Sequence, residues 1–154
     1  MPRFPRDNNS DKIAFYGDPF RAGFERDSIV YITPPWQMRY TDDNGRVTPV
    51  RRVAVHKNCS VSLQTVFNRI WDHYGRDQRN IEATGLADFA GSFVKRNVRG
   101  SASAISCHAF GAAIDFDPAH NPMNRAGNKG AMPSDVVAIF RQEGWTWGGD
   151  WNGR

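Results

Sequence analysis

The residues best placed to do chemistry lie in one ten-residue stretch, Ser106-Cys107-His108-Ala109-Phe110-Gly111-Ala112-Ala113-Ile114-Asp115. A histidine and an aspartate stand seven positions apart across a glycine. On a continuous helix that separation is about 10.5 Å of rise, too far for the two side chains to share one ion. A turn at Gly111 would fold His108 back over Asp115 and bring imidazole and carboxylate together. Two readings of such a pair stand side by side. It is a hydrogen bond that stabilises a turn, or it is part of a zinc site, since zinc accepts both groups at about 2.0–2.2 Å. Asp115 is flanked by Ile114 and Phe116, so a half-dry carboxylate in need of a partner is expected.

Other chemistries lack their signatures. The chain has no phosphate-binding Gly-rich loop, no G-x-G-x-x-G, no G-x-S-x-G, no H-E-x-x-H and no C-x-x-C. Nucleotide binding, α/β-hydrolase chemistry and the zincin arrangement are disfavoured on that ground.

The elements that must position the pair are legible in outline. Residues 113–117 alternate as a strand, with Ala113, Asp115 and Asp117 on one face and Ile114 and Phe116 on the other. Upstream, residues 28–32 (SIVYI) read as a strand closed by Pro34 and Pro35. Residues 36–40 and 47–56 read as a hairpin around Asp42-Asp43-Asn44-Gly45. Leu63, Val66, Phe67, Ile70, Trp71 and Tyr74 form one helical stripe, started by Asn58 or Ser60 and stopped by Gly75. Ser134 is expected to cap a second amphipathic helix with Val136, Val137, Ile139 and Phe140 inside and Gly144 as its stop. Residues 1–12 read as a loose arm, and residues 118–132 as a polar loop. Trp145, Trp147 and Trp151 read as one wall of the core and Cys107 as a small buried filler. The expected fold is α+β: helices on a small, mostly antiparallel sheet, in one domain spanning 1–154.

Length and composition agree with that size. The 154 residues suffice for one domain with a core that needs no disulfide staples. Two cysteines, Cys59 and Cys107, are no disulfide framework, although a single bridge is compatible with the sequence. The net charge of +4, carried mostly by arginine, suits an anionic partner such as nucleic acid or a polyanionic cell wall. The basic residues are scattered without a basic, aromatic-interleaved stripe, so nucleic acid is not the expected partner. No apolar run is long enough to span a membrane, and the amino terminus MPRFPRDNNSDK has no apolar secretory core.

The stretch S-x-H-x-x-G-x-A-x-D, met here as Ser106, His108, Gly111, Ala113 and Asp115, resembles the signature of the M15 peptidases. These are the zinc D-Ala-D-Ala carboxypeptidases and L-alanyl-D-glutamate endopeptidases, phage endolysins among them. Gly148-Gly149-Asp150-Trp151 resembles the G-G-D-W segment of the endolysin-like branch, and Arg96 to Gly100 resembles an upstream R-x-x-R-G. Residues 91–151 carry the likeness. The amino-terminal half fits more loosely, through residues 33–35 and 53–57.

The resemblance implies zinc held by His108 and Asp115, Ser106 on the substrate's backbone or terminal carboxylate, and Arg96, or else Arg99, stabilising the polarised carbonyl. The reaction implied is hydrolysis of an amide bond in peptidoglycan stem peptides by a monomer. The family's third ligand is a histidine in a D-x-x-H-F or E-x-x-H segment shortly after G-G-D-W, and its acidic residue is the general base. No such segment follows Trp151, so a truncated sequence is expected, binding zinc weakly and cleaving slowly as supplied. His120 is a weak substitute ligand, His56 a weaker one, and Asp150 a weak candidate base. His73 is expected on the surface. The alternative is a non-catalytic wall-binding module. The resemblance leaves two settings open, a phage lysin released through a pore and a bacterial enzyme that recycles wall fragments.

Overall fold

The structure, a computed structural model, describes residues 3–121 and 132–148. Among these the order is α1 (Asn9–Tyr16), α2 (Phe24–Ser28), β1 (Ile29–Ile32), β2 (Met38–Thr41), β3 (Val47–Val50), β4 (Val53–His56), α3 (Ser60–His73), α4 (Gln78–Thr84), β5 (Phe89–Gly91), a 3-10 turn (Cys107–Phe110), β6 (Asp115–Phe116) and α5 (Ser134–Gln142). The class is mixed α and β, as expected, but the strands do not form one sheet. They pair antiparallel as β1–β4, β2–β3 and β5–β6.

The long strand expected over 47–56 is two strands with different partners. Val47–Val50 pairs with β2, whereas Val53–His56 pairs with β1. The break at Arg51-Arg52 lets the chain leave the hairpin, and Arg52 settles over the Tyr31 ring, 4.2 Å from its centroid. The hairpin turn is closed by Asp42, whose Oδ1 accepts from the amides of Asn44 and Arg46.

Helix α3 organises the core. Leu63, Val66, Phe67 and Ile70 are buried on its inner stripe, and Phe67 packs against Trp36 and Phe116. Neither expected residue caps it. The N-cap is Cys59, which makes no side-chain cap; Asn58 donates to the Phe15 carbonyl and Ser60 to the Lys57 carbonyl. Likewise Pro133, not Ser134, occupies the N-cap of α5. Trp145 joins the core, packing on Phe4 and Phe140 and donating to Ser62 Oγ. Trp151 lies outside the described residues.

The amino terminus differs from the expected loose arm. Asn8 caps α1 by accepting from Asp11 N–H, and Lys12, one turn into the helix, is only 4% exposed. Both cysteines are free, so no bridge joins Cys59 to Cys107. Among the described residues no helix is long and apolar enough to cross a membrane.

His56 closes β4 as a fully satisfied neutral imidazole. Its Nε2–H donates to the Tyr16 carbonyl at 2.9 Å, and its Nδ1 accepts from Asn58 N–H at 3.0 Å. Burial holds its pKa below the usual value, against the pull of the Tyr16 carbonyl. The unfolded chain therefore takes up this proton near pH 6.5 while the folded chain resists it. The stability His56 contributes is full above about pH 6.5 and is lost as pH falls through the window beneath. Urea midpoints measured between pH 7 and pH 5 are expected to fall in the wild type and to fall less in His56→Gln. Parallel slopes would remove His56 as the cause.

Candidate metal site

The 3-10 turn starts at a local cap. Ser106, 5% exposed, accepts the His108 N–H on its hydroxyl oxygen at 3.2 Å. The turn ends at Gly111, whose φ of +73° is open to glycine and strained for other residues. Gly111 also passes hard against β4: its carbonyl accepts from His56 N–H at 2.8 Å. A Cβ there would stand 2.6 Å from Ile29 Cδ1 and 2.9 Å from the His56 nitrogen. The chain thus reverses where no side chain fits, and β6 returns beneath the turn.

This reversal brings His108 and Asp115 together. His108 Nε2 lies 3.2 Å from Asp115 Oδ2. The imidazole is mostly buried and the carboxylate 60% exposed, so the half-dry setting expected for Asp115 is not found; Phe116 alone of β6 turns inward. β6 is only two residues long. Asp117 leaves it with a left-handed φ of +47°, buries its own carboxylate and does not share Asp115's face.

The other ring nitrogen of His108 is held as well. Nδ1 lies 3.0 Å from the carbonyl of Ser92, the residue after β5, whose Gly91 is paired with Asp115. With Nδ1–H donated to that carbonyl, the neutral ring keeps its Nε2 lone pair toward Asp115. Burial pulls the His108 pKa down, but the Asp115 carboxylate and the Ser92 carbonyl outweigh it and the net shift is upward. The Arg96 cation is close enough to oppose them. A buried nitrogen with its tautomer set by a backbone carbonyl, facing an accessible carboxylate, is a donor pair suited to a divalent cation open to solvent on one side.

Arg96 lies on the segment beside the turn: its carbonyl accepts from Ser106 N–H and its guanidinium donates to the Asn97 carbonyl. Arg99 is exposed at the neighbouring bend. His120 is not with the pair; its Nδ1 contacts both oxygens of Asp117 at 2.8 and 3.0 Å. His56 has both ring nitrogens occupied in the core, and His73 is at the surface with Asp135 at 2.7 Å. Asp150 lies outside the described residues. Among the described residues no cluster of three or more His, Cys, Asp or Glu could hold a metal. The Ser92 carbonyl escaped sequence reasoning because a backbone oxygen leaves no mark in residue type.

Residues 99–154 match the model of a family described as D-alanyl-D-alanine carboxypeptidase. No curated protein and no solved structure gives a match.

Proposed function

With residues 99–154 supporting an M15-family peptidase, we propose that the chain is a zinc-dependent hydrolase of an amide bond in peptidoglycan stem peptides. The observation that carries this reading is the closure of His108 Nε2 onto Asp115 Oδ2 around Gly111, with Nδ1 committed to the Ser92 carbonyl. His108 and Asp115 would hold the ion. When bound, zinc supplies Lewis acidity that makes water a nucleophile near neutral pH and polarises a carbonyl.

The chain's own residues do the rest. The Ser92 carbonyl keeps the His108 proton on Nδ1, so Nε2 stays a lone-pair donor. Ser106 holds the His108 backbone through its cap. Arg96 supplies a fixed positive charge near the ring, where it would stabilise negative charge developing on the scissile carbonyl oxygen. Arg99, exposed at the bend, would meet a substrate carboxylate.

The test is digestion of purified cell wall by protein depleted of metal and then resupplied with zinc. Release of new amino termini is expected to require zinc and to stop with a chelator. Wall binding that ignores chelator, with no peptide released at any zinc level, would instead establish the binding-module alternative.

A further inference from the structure

The strip that leads into the 3-10 turn is bound on two edges. On one edge it pairs antiparallel with residues 96–98: Val98 N–H donates to the Ala104 carbonyl and Ser106 N–H to the Arg96 carbonyl, around an Asn97–Ile105 bridge. In that register the N–H and C=O of Ile105 point away from the partner strand. No strand of the described residues receives them. Two side chains of α1 do. Ile105 N–H donates to Asn9 Oδ1 at 2.9 Å, and Lys12 Nζ donates to the Ile105 carbonyl at 2.7 Å. Asn9 Nδ2 also donates to the Ser103 carbonyl at 2.7 Å.

Lys12 is an unusual residue to spend here. Its ammonium is almost wholly buried, paired with Asp7 at 2.6 Å, beside Cys107 Sγ at 3.9 Å and 5.6 Å from the centre of the Phe110 ring. Burying a cation is costly unless charge and hydrogen bonds compensate. All these partners, Asp7 apart, belong to the segment that carries Ser106 and His108.

We propose that Asn9 and Lys12 are positioning residues: α1 stands in for a missing third strand and sets the orientation of His108 from outside the family-matched residues. The inference rests on the reading of His108 as a metal ligand. A loose strip at Ile105 would free the Ser106 cap and let the imidazole leave the Ser92 carbonyl.

The test uses the full chain with Lys12→Met, Asn9→Ala and Asn9→Asp; the last keeps the acceptor for Ile105 N–H and gives up only the donor to the Ser103 carbonyl. His73→Gln, which loosens α3 from α5 away from the site, is the control for simple destabilisation. Two quantities are read: the imidazole nitrogen–proton spectrum of His108 without metal at pH 8.5, and the Zn²⁺ dissociation constant by competition with a chromophoric chelator. The wild type and His73→Gln are expected to show one Nδ1-protonated set of His108 signals. Lys12→Met and Asn9→Ala are expected to split or broaden that set and to weaken zinc binding tenfold or more, with Asn9→Asp returning to within threefold. His108 signals and zinc affinity within twofold of wild type in both variants would overturn the proposal, whatever their melting temperatures. If Lys12→Met does not fold, the two Asn9 variants decide. If the wild type itself binds no zinc, the metal reading fails, and the ring spectra alone uphold or sink the brace.

Discussion

Asp115→Asn is expected to keep the fold and lose the chemistry. The asparagine amide can donate its N–H to the His108 Nε2 lone pair, and the carboxylate it replaces is 60% exposed, where an ion pair adds little to stability. A turn held by a His–Asp hydrogen bond would therefore barely notice the change. A metal site would, because a neutral amide is a poor ligand and one of only two described donors is gone. Bound metal contributes several kcal/mol to such hydrolyses, so the zinc-dependent rate of peptide release should fall by about 10³-fold or more. His108→Ala should fall as far. The checks are amino-terminus release from cell wall and a thermal melt on the same sample. An unchanged rate in Asp115→Asn would return the pair to its plain structural role.

Gly111→Ala should be among the most destabilising single changes in the chain. The left-handed backbone costs a residue with a Cβ about 1–2 kcal/mol. The added methyl would also meet Ile29 Cδ1 at 2.6 Å and the His56 nitrogen at 2.9 Å. The isoleucine can rotate away, but the backbone nitrogen cannot without breaking its hydrogen bond to the Gly111 carbonyl. Overpacking of this kind typically costs about 1–3 kcal/mol. Together the loss is about 2–5 kcal/mol, against a usual total of about 5–15 kcal/mol. Denaturant titration measures it directly. A loss under about 1 kcal/mol would mean that β4 and the turn part easily and that the glycine does not hold the pair closed.

How much of this was legible depended on the carrier of the information. The stripe of α3 was plain because Leu63, Val66, Phe67 and Ile70 repeat with the helical period and are all buried. The reversal at Gly111 was also readable, since only a turn there could join His108 to Asp115. The division of residues 47–56 was not: Val47–Val50 and Val53–His56 look alike, and only tertiary pairing assigns them to different partners. Helix α4 leaves no legible stripe: Asp77 caps it and Gly85 ends it, but its seven residues are too few to show a period. Lys12 was hidden for a different reason. A lysine in a polar amino terminus reads as solvated, and its burial depends on a carbonyl more than ninety residues away.

The two thiols have a consequence for handling. Burial pushes Cys59 up to about 11, and it raises Cys107 too despite the nearby Lys12 ammonium. Neither is a thiolate at neutral pH, so neither readily attacks a disulfide or an alkylating agent. The fold rests on no disulfide between these two, so a reductant that does not bind zinc should leave its thermal melt unchanged.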